Sequence, residues 1–115
     1  MIAVIFEVEP IDEFKHEYLD IAAELRPLLD EVDGFISVER FHSLTDPKKI
    51  LSLSFFENEE AITLWRNLAQ HRQSQSKARH RIFVDYRLRI AHVDRDYGMF
   101  DRTQAPKDSQ NMHRT

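Results

Sequence analysis

A chain of 115 residues, of which 42% are hydrophobic and 31% charged, has the size of one small globular domain. Its net charge of −4 argues against a nucleic-acid-binding module, because binding a polyanion requires a cationic surface. The absence of cysteine excludes disulfides, thiolate nucleophiles and cysteine metal sites, and two glycines are too few for a glycine-rich phosphate loop.

Membrane and export signals are not apparent in the sequence. No segment approaches the roughly 18 consecutive apolar residues of a membrane span. The N-terminus also lacks the basic region and apolar core of a signal peptide. We therefore expect a cytoplasmic protein that has neither a membrane nor a nucleic acid as its partner.

The first third of the chain predicts one strand and one helix. The apolar, β-branched run Ile2–Val8 is typical of a strand. From Ile11 onward, apolar residues recur at three- and four-residue steps, which predicts an amphipathic helix that Gly34 terminates. Because proline lacks the N–H that a helix interior requires, Pro27 predicts a kink or break in this helix.

The middle of the chain predicts a β-hairpin. Two strands are indicated over Phe35–Leu44 and Lys49–Phe56, and a turn that contains proline joins them. The alternation of side chains places two sets on opposite faces of the first strand: Ile36, Val38, Arg40 and His42 on one, and Phe35, Ser37, Glu39 and Phe41 on the other.

The last third predicts a helix and a long strand. Asn58 is a good N-cap, and the apolar stripe that follows it contains Trp65, the single tryptophan of the chain. The polar segment His71–Arg79 is predicted to be helical as well. The strand Ile82–Val93 is predicted to carry one set of side chains on each face: Ile82, Val84, Tyr86, Leu88 and Ile90, and opposite them Phe83, Asp85, Arg87 and Arg89.

The order of these elements predicts an α+β fold. The pattern βαββαβ is that of a ferredoxin-like domain, with a four-stranded antiparallel sheet covered by helices on one face. The uncovered face carries apolar side chains, so we expect it to be buried in a homodimer. We assign residues 1–98 to this domain. Residues 99–115 lose the periodicity and are predicted to form a polar, disordered tail.

Candidate functional residues concentrate around the second predicted helix. Between Glu60 and Asp85 the chain has no acidic residue but five basic ones: Arg66, Arg72, Lys77, Arg79 and Arg81. Such a cationic surface is either an ordinary solvated face or a rim that attracts an anionic substrate. No pair of histidines has the spacing of a metal site, so we predict no metal.

Each candidate has a structural as well as a functional interpretation. Trp65 either packs in the core or walls a pocket for a flat aromatic substrate. His71 is either a solvated side chain or a general base, since imidazole exchanges protons near neutral pH. Tyr86 and Arg87 are predicted on opposite faces of the last strand. Tyr86 belongs to the core, the dimer interface or the substrate site, and Arg87 either stabilises an anion or pairs with a glutamate.

Several motifs resemble the antibiotic biosynthesis monooxygenase domain family: Leu51–Phe56, Glu59–Ile62, Trp65-Arg66, His71-Arg72, Phe83–Arg87 and Arg95–Gly98. The resemblance implies a dimeric α/β barrel in which two four-stranded sheets join. It also implies two activities: oxidation of aromatic polyketides by O₂ without a cofactor, and haem binding with ring opening. Haem-degrading members use an asparagine of the first strand, which this chain lacks, together with the tryptophan that Trp65 matches.

The sequence therefore predicts a cofactor-independent monooxygenase that acts with O₂ on a small aromatic molecule of polyketide, quinol or phenol type. Trp65 and His71 are the predicted catalytic residues, and the predicted substrate-binding residues are Arg66, Arg72, Tyr86 and Arg87. Two alternatives remain open. One is a haem-binding or haem-degrading monooxygenase, and the other is a non-catalytic dimeric module that binds a small molecule.

Overall fold

The computed structural model describes residues 1–75 and 81–110, except for the side chains of residues 71–75. In this part of the chain two α-helices and four strands follow one another in the predicted order βαββαβ. They are β1 (Ile2–Pro10), α1 (Lys15–Asp30), β2 (Phe35–His42), β3 (Ile50–Phe56), α2 (Glu59–Gln75) and β4 (Phe83–His92).

The four strands form one antiparallel sheet in the order β2-β3-β1-β4. Strands β1 and β3 therefore lie in the centre, and β2 and β4 form the edges. Both helices pack on the same face, because the even-numbered residues of β1 from Ile2 to Val8 contribute to the core beneath them. The predicted α+β, ferredoxin-like fold is confirmed.

Helix α1 continues through the proline that was predicted to interrupt it. The helix runs to Asp30 with Pro27 inside it, so of the predicted kink or break the break does not occur. Pro27 lies in the last turn, where it removes only one helical hydrogen bond. Leu29, which follows it, is 3% exposed and packs in the core, and this burial offsets the loss.

Irregular pairing at two edge strands moves two phenylalanines to the helix-covered face. In β2 the register shifts between Phe35 and Ser37, and the Phe35 ring lies 5.6 Å from the buried Phe56 ring. In β4 the register shifts so that Phe83 pairs with Pro10, and its ring contacts Tyr18 at 5.6 Å. Strict alternation instead predicts Phe35 on the face opposite Val38, and Phe83 on the face opposite Tyr86. An extra residue in a strand shifts the register, so the side chains beyond it point to the other face of the sheet. A prediction from strict alternation does not include such a shift.

The core consists of two clusters of buried side chains between the sheet and the helices. The first contains Ile2, Val4, Leu29, Phe56, Ala61 and Ile62, and the second contains Val8, Tyr18, Ile50 and Ile82. Since Val4 and Val8 belong to different clusters, the two clusters lie at different levels along β1. Phe6 lies between those levels.

The start of α2 is fixed against the start of β2. The Asn58 side-chain oxygen accepts a hydrogen bond from the Ala61 N–H at 2.9 Å, which confirms the predicted N-cap. Gly34 has a φ of 91°, and a Cβ at this position would lie 3.0 Å from the Ala61 Cβ. Glycine therefore meets both a backbone requirement and a close approach of two elements.

The segment after β4 forms turns with contacts of its own. The Arg102 guanidinium donates hydrogen bonds to the carbonyl oxygens of Gly98, at 3.1 Å, and Ser109, and Ala105 is buried. This order differs from the disorder predicted for residues 99–115, as far as Gln110; residues 111–115 lie outside the described part.

No helix in the described part of the chain combines the length and the apolar character needed to cross a bilayer.

Candidate active site

A cavity of about 180 Å³ lies between the sheet and the two helices. Its floor is a row of residues that crosses all four strands. The strand register pairs Arg40 with Ser52, Ser52 with Phe6, and Phe6 with Leu88. All four side chains line the cavity. The floor is therefore charged or polar on β2 and β3 and apolar on β1 and β4.

The roof of the cavity comes from both helices. Helix α1 contributes Tyr18, Ile21, Ala22 and Leu25, and α2 contributes Trp65 and Ala69. Ala22 and Ala69 are the small residues of this set, so they leave room that larger side chains would fill. The described lining is completed by Ile82, which precedes β4, and by Phe83, the first residue of β4.

Trp65 lies both against the core and at the wall of the cavity. Its ring lies 6.2 Å from the Phe56 ring and packs against the first core cluster. It also lines the cavity. Because the indole is supported by the core on one side, it presents a fixed aromatic surface to the cavity.

Arg40 is the charged residue among the described residues that line the cavity. Its Nε is shielded from solvent and has no hydrogen-bond partner in the described part of the chain. A buried donor on a charged group without an acceptor costs on the order of 1–3 kcal/mol. An unpaired donor of this kind, at the wall of an apolar cavity, is characteristic of a binding site for an acceptor group.

The structure brings some predicted site residues to the cavity and not others. Tyr86 lies beside it, with its ring 5.6 Å from the Phe6 ring, and is 59% exposed. Arg66 is exposed on α2 and does not line the cavity. Arg87 pairs with Glu7 in the strand register, on the face of the sheet away from the helices. The predicted substrate contacts of Arg66 and Arg87 require them at the cavity, and the structure places them elsewhere.

Two further predicted residues, His71 and Arg72, lie within α2, but their side chains are outside the described part of the chain. The sequence analysis considered a salt bridge between Arg87 and a glutamate. In the structure Arg89, two residues further along β4, forms this salt bridge with the Glu7 carboxylate at 3.5 Å. Arg87 instead lines a depression of about 130 Å³ with Lys49 and Asp85.

Three polar cavity residues were missed by the sequence analysis: Tyr18, Arg40 and Ser52. Arg40 carried a usable signal, because it was predicted on the same strand face as Ile36 and Val38, where an arginine is out of place. The sequence contains no comparable signal for Tyr18 or Ser52. A tyrosine on a helix stripe and a serine in a strand are ordinary residues until the packing shows what they face.

The described lining of the cavity provides no haem ligand. An engineered cavity of about 150 Å³ binds benzene, so the volume here corresponds to one ring rather than to a macrocycle of four pyrroles. Histidine is absent from the described residues that line it. The described residues also contain no group of three histidine, aspartate or glutamate side chains that would hold a metal ion.

Comparison with known proteins supports the same fold from sequence and from structure. A jasmonate monooxygenase ABM from Pyricularia oryzae (strain 70-15) is 45% identical over 93 residues, which cover 81% of this chain. The match covers 43% of that relative, so this chain spans less than half of its length.

Solved structures with low sequence identity share the fold. A conserved protein from Methanosarcina mazei Go1 superposes with a TM-score of 0.66 at 13% identity, covering 78% of this chain and 89% of that one. A mutant of MhuD with two manganese protoporphyrin IX molecules per active site gives 0.68 at 15% identity, covering 85% and 99%.

A family model assigns the chain directly. The model described as antibiotic biosynthesis monooxygenase matches residues 1–77, which include β1, both strands of the hairpin, α1 and α2. The cavity floor on β1, β2 and β3 and the roof on both helices lie within the matched segment. The chain belongs to the antibiotic biosynthesis monooxygenase family.

Proposed function

We propose that this protein is a monooxygenase that oxidises a small, single-ring molecule with O₂ and needs neither a metal nor a flavin. The observation that carries the proposal is the cavity between helices and sheet, apolar over most of its lining and walled by Trp65. Membership of the family and the name of the 45% identical relative support the reaction class.

The size of the cavity favours one ring over several. At about 180 Å³ it is comparable to a cavity of about 150 Å³ that holds benzene. Quinols, phenols and cyclic ketones meet this limit, whereas fused polyketide rings exceed it. The relative is named a jasmonate monooxygenase. Jasmonate is a carboxylate with one cyclopentanone ring, so its ring is of the size that this cavity holds, while its two substituents extend beyond that volume.

The proposed chemistry needs an activated C–H bond in the substrate. A base removes one proton from a CH₂ group activated by a carbonyl or an aromatic ring, which a phenol or quinol supplies in its keto form, and the carbanion adds O₂ to form a peroxide anion. Protonation gives a hydroperoxide, and loss of water breaks the O–O bond and the second C–H bond. CH₂ and O₂ thus become C=O and H₂O, and the substrate supplies all the electrons.

We assign the proton transfer to His71 and the positioning of the ring to Trp65. His71 follows Trp65 by six residues in α2, and imidazole is suited to exchange protons near neutral pH. A positioned base contributes roughly 10²- to 10⁴-fold to the rate. The apolar lining disfavours water beside the substrate, and this strengthens electrostatic interactions with the carbanion.

The test is O₂ consumption by metal-free protein with a panel of quinols, phenols, 1,3-diketones and jasmonate, with anthrones and naphthols as fused-ring substrates. We expect uptake with single-ring substrates and one ¹⁸O atom per product molecule from ¹⁸O₂. The His71→Gln variant should lose roughly 10²- to 10⁴-fold in kcat. If no member of the panel consumes O₂ above background, the non-catalytic binding module replaces this proposal.

The haem alternative is tested by a separate measurement. The MhuD structure carries metal porphyrins on the same fold, which is the reason to test it. Haem added to the purified protein should leave the Soret band unshifted, because the cavity holds one ring. A Soret shift that disappears in a His71→Ala variant would favour haem binding instead.

We further propose that the protein is a homodimer joined through the open face of the sheet. Ile5, Leu53 and Phe55 lie on this face, as the strand register pairs Ile5 with Leu53 and Ala3 with Phe55. These apolar side chains are half-buried within one chain and have no helix over them. A second copy would remove them from water.

Introducing a charge at the centre of this face should separate the dimer. For Leu53→Glu we expect a mass near 13.7 kDa by light scattering, and twice that mass for the unmodified chain. Leu44→Glu is the matched control, because Leu44 is fully exposed in a turn and should leave the dimer intact. A Leu53→Glu protein that remains dimeric would exclude this face as the interface.

A further inference from the structure

We infer that Arg40 is the anion-binding residue of the cavity and that the substrates are small ring-bearing carboxylates. The inference deepens the proposed function, since it takes the cavity to be the substrate site. It goes beyond the predicted cationic residues, because neither Arg66 nor Arg87 reaches the cavity.

Arg40 lines the cavity and has no counter-ion among the described residues. Arg40 lies on β2 opposite Ser52, and both line the cavity from the helix-covered face of the sheet. Its Nε is buried without a hydrogen-bond partner, and no salt bridge to Arg40 occurs among the described residues. The described part of the chain therefore offers the Arg40 guanidinium no counter-ion, and its charge at the cavity wall is left for a ligand to balance.

The rest of the cavity defines the remainder of the ligand. Phe6, Trp65 and Leu88 present ring and aliphatic surfaces, while the Ser52 hydroxyl lies beside Arg40 on the floor. From β2 to β4 the floor crosses three strand intervals, about 14 Å in all. A ligand with its anion at β2 and its apolar body toward β1 and β4 matches this division.

A carboxylate fits Arg40 better than the transient anion of the reaction does. The guanidinium of arginine carries its charge throughout the physiological pH range, so its counter-ion should be present from the moment the substrate binds. An enolate or carbanion exists only during turnover. Guanidinium and carboxylate also match as planar, bidentate hydrogen-bonding partners. Arg40 accordingly binds and orients the substrate, and the reacting carbon lies elsewhere in the cavity.

The binding test uses the natural probe in the cavity wall. Trp65 is the only tryptophan of the chain, so its fluorescence reports occupancy of the cavity. Phenylacetate and phenylacetamide have nearly the same shape and differ in charge. We expect phenylacetate to bind about 10- to 100-fold more tightly, as for a hydrogen bond to a charged group.

Variants assign this preference to Arg40. Arg40→Met should remove the preference for phenylacetate and leave the affinity for phenylacetamide within about twofold. Arg40→Lys should keep part of the preference, since it retains the charge without the bidentate geometry. Arg95→Met makes the same change of charge at an exposed residue outside the cavity lining and should bind both ligands normally.

Two results would overturn the inference: equal affinity of the unmodified protein for the two probes, or an Arg40→Met protein that still prefers phenylacetate. If Arg40→Met does not fold, the comparison of probes on the unmodified protein and Arg40→Lys decides. Binding does not require O₂, so it can succeed where the turnover assay fails. A protein that consumes O₂ with neutral substrates and ignores the carboxylate would retain the proposed function and lose this inference.

Discussion

Replacing Ala22 by phenylalanine is expected to abolish turnover while leaving the fold intact. Ala22 is buried on α1 and lines the cavity, whose volume of about 180 Å³ is close to that of one aromatic ring. The new ring would occupy the space of the substrate, and kcat/KM should fall by at least about 100-fold. Steady-state O₂ uptake measures the loss, and a thermal melt monitors folding.

The neighbouring alanine provides a matched control. Ala23 is exposed on the same helix, so Ala23→Phe makes the same substitution outside the cavity. We expect its activity to match that of the unmodified protein and its stability to change by about 0.5 kcal/mol or less. Normal turnover by the Ala22→Phe protein would show that the cavity is not the substrate site.

Replacing Phe56 by alanine is expected to cause the largest loss of stability. Phe56 is fully buried on β3, and its ring contacts those of Phe35 and Trp65. Truncation removes these contacts and leaves a cavity that the rigid sheet cannot close, which typically costs about 3–5 kcal/mol. That is a large fraction of the roughly 5–15 kcal/mol that stabilises a domain, so the urea midpoint should fall sharply.

The same experiment reports on the support of the indole. Without the Phe56 ring, Trp65 loses the core contact that holds it at the cavity, and its emission should shift to the red. Phe100→Ala is the control, because Phe100 is 79% exposed and its removal should change stability by about 0.5 kcal/mol or less. A Phe56→Ala protein of normal stability would mean that the first core cluster repacks without it.

Local patterns explain why the fold was predictable. The strand and helix periods differ, so the change of period at Ile11 and the cap at Asn58 marked where elements begin. Pro27 shows where this local reasoning fails. The penalty of a proline in a last helical turn is small enough for the burial of Leu29 to exceed it, and burial is not a local property.

Side-chain direction was predictable only where the strands were regular. Val38 and Arg40 share a face as expected, and Tyr86 and Arg87 lie on opposite faces. Phe35 and Phe83 do not lie where alternation placed them, because a register shift depends on how two strands pair. Phe83 thereby lines the cavity, a role that its neighbours in the sequence did not indicate.

Sequence alone determined the order of elements and the family resemblance, because these depend on spacing and on residue type. Among the described residues, the tertiary structure decided which cation lines the cavity. Arg66 looked suitable in a basic segment and Arg87 on the last strand, but charge in a sequence does not say which face of the sheet or helix a side chain occupies. Arg40 is selected because strand pairing aligns it with Ser52, Phe6 and Leu88 beneath the helices, and such pairing joins residues far apart in the chain.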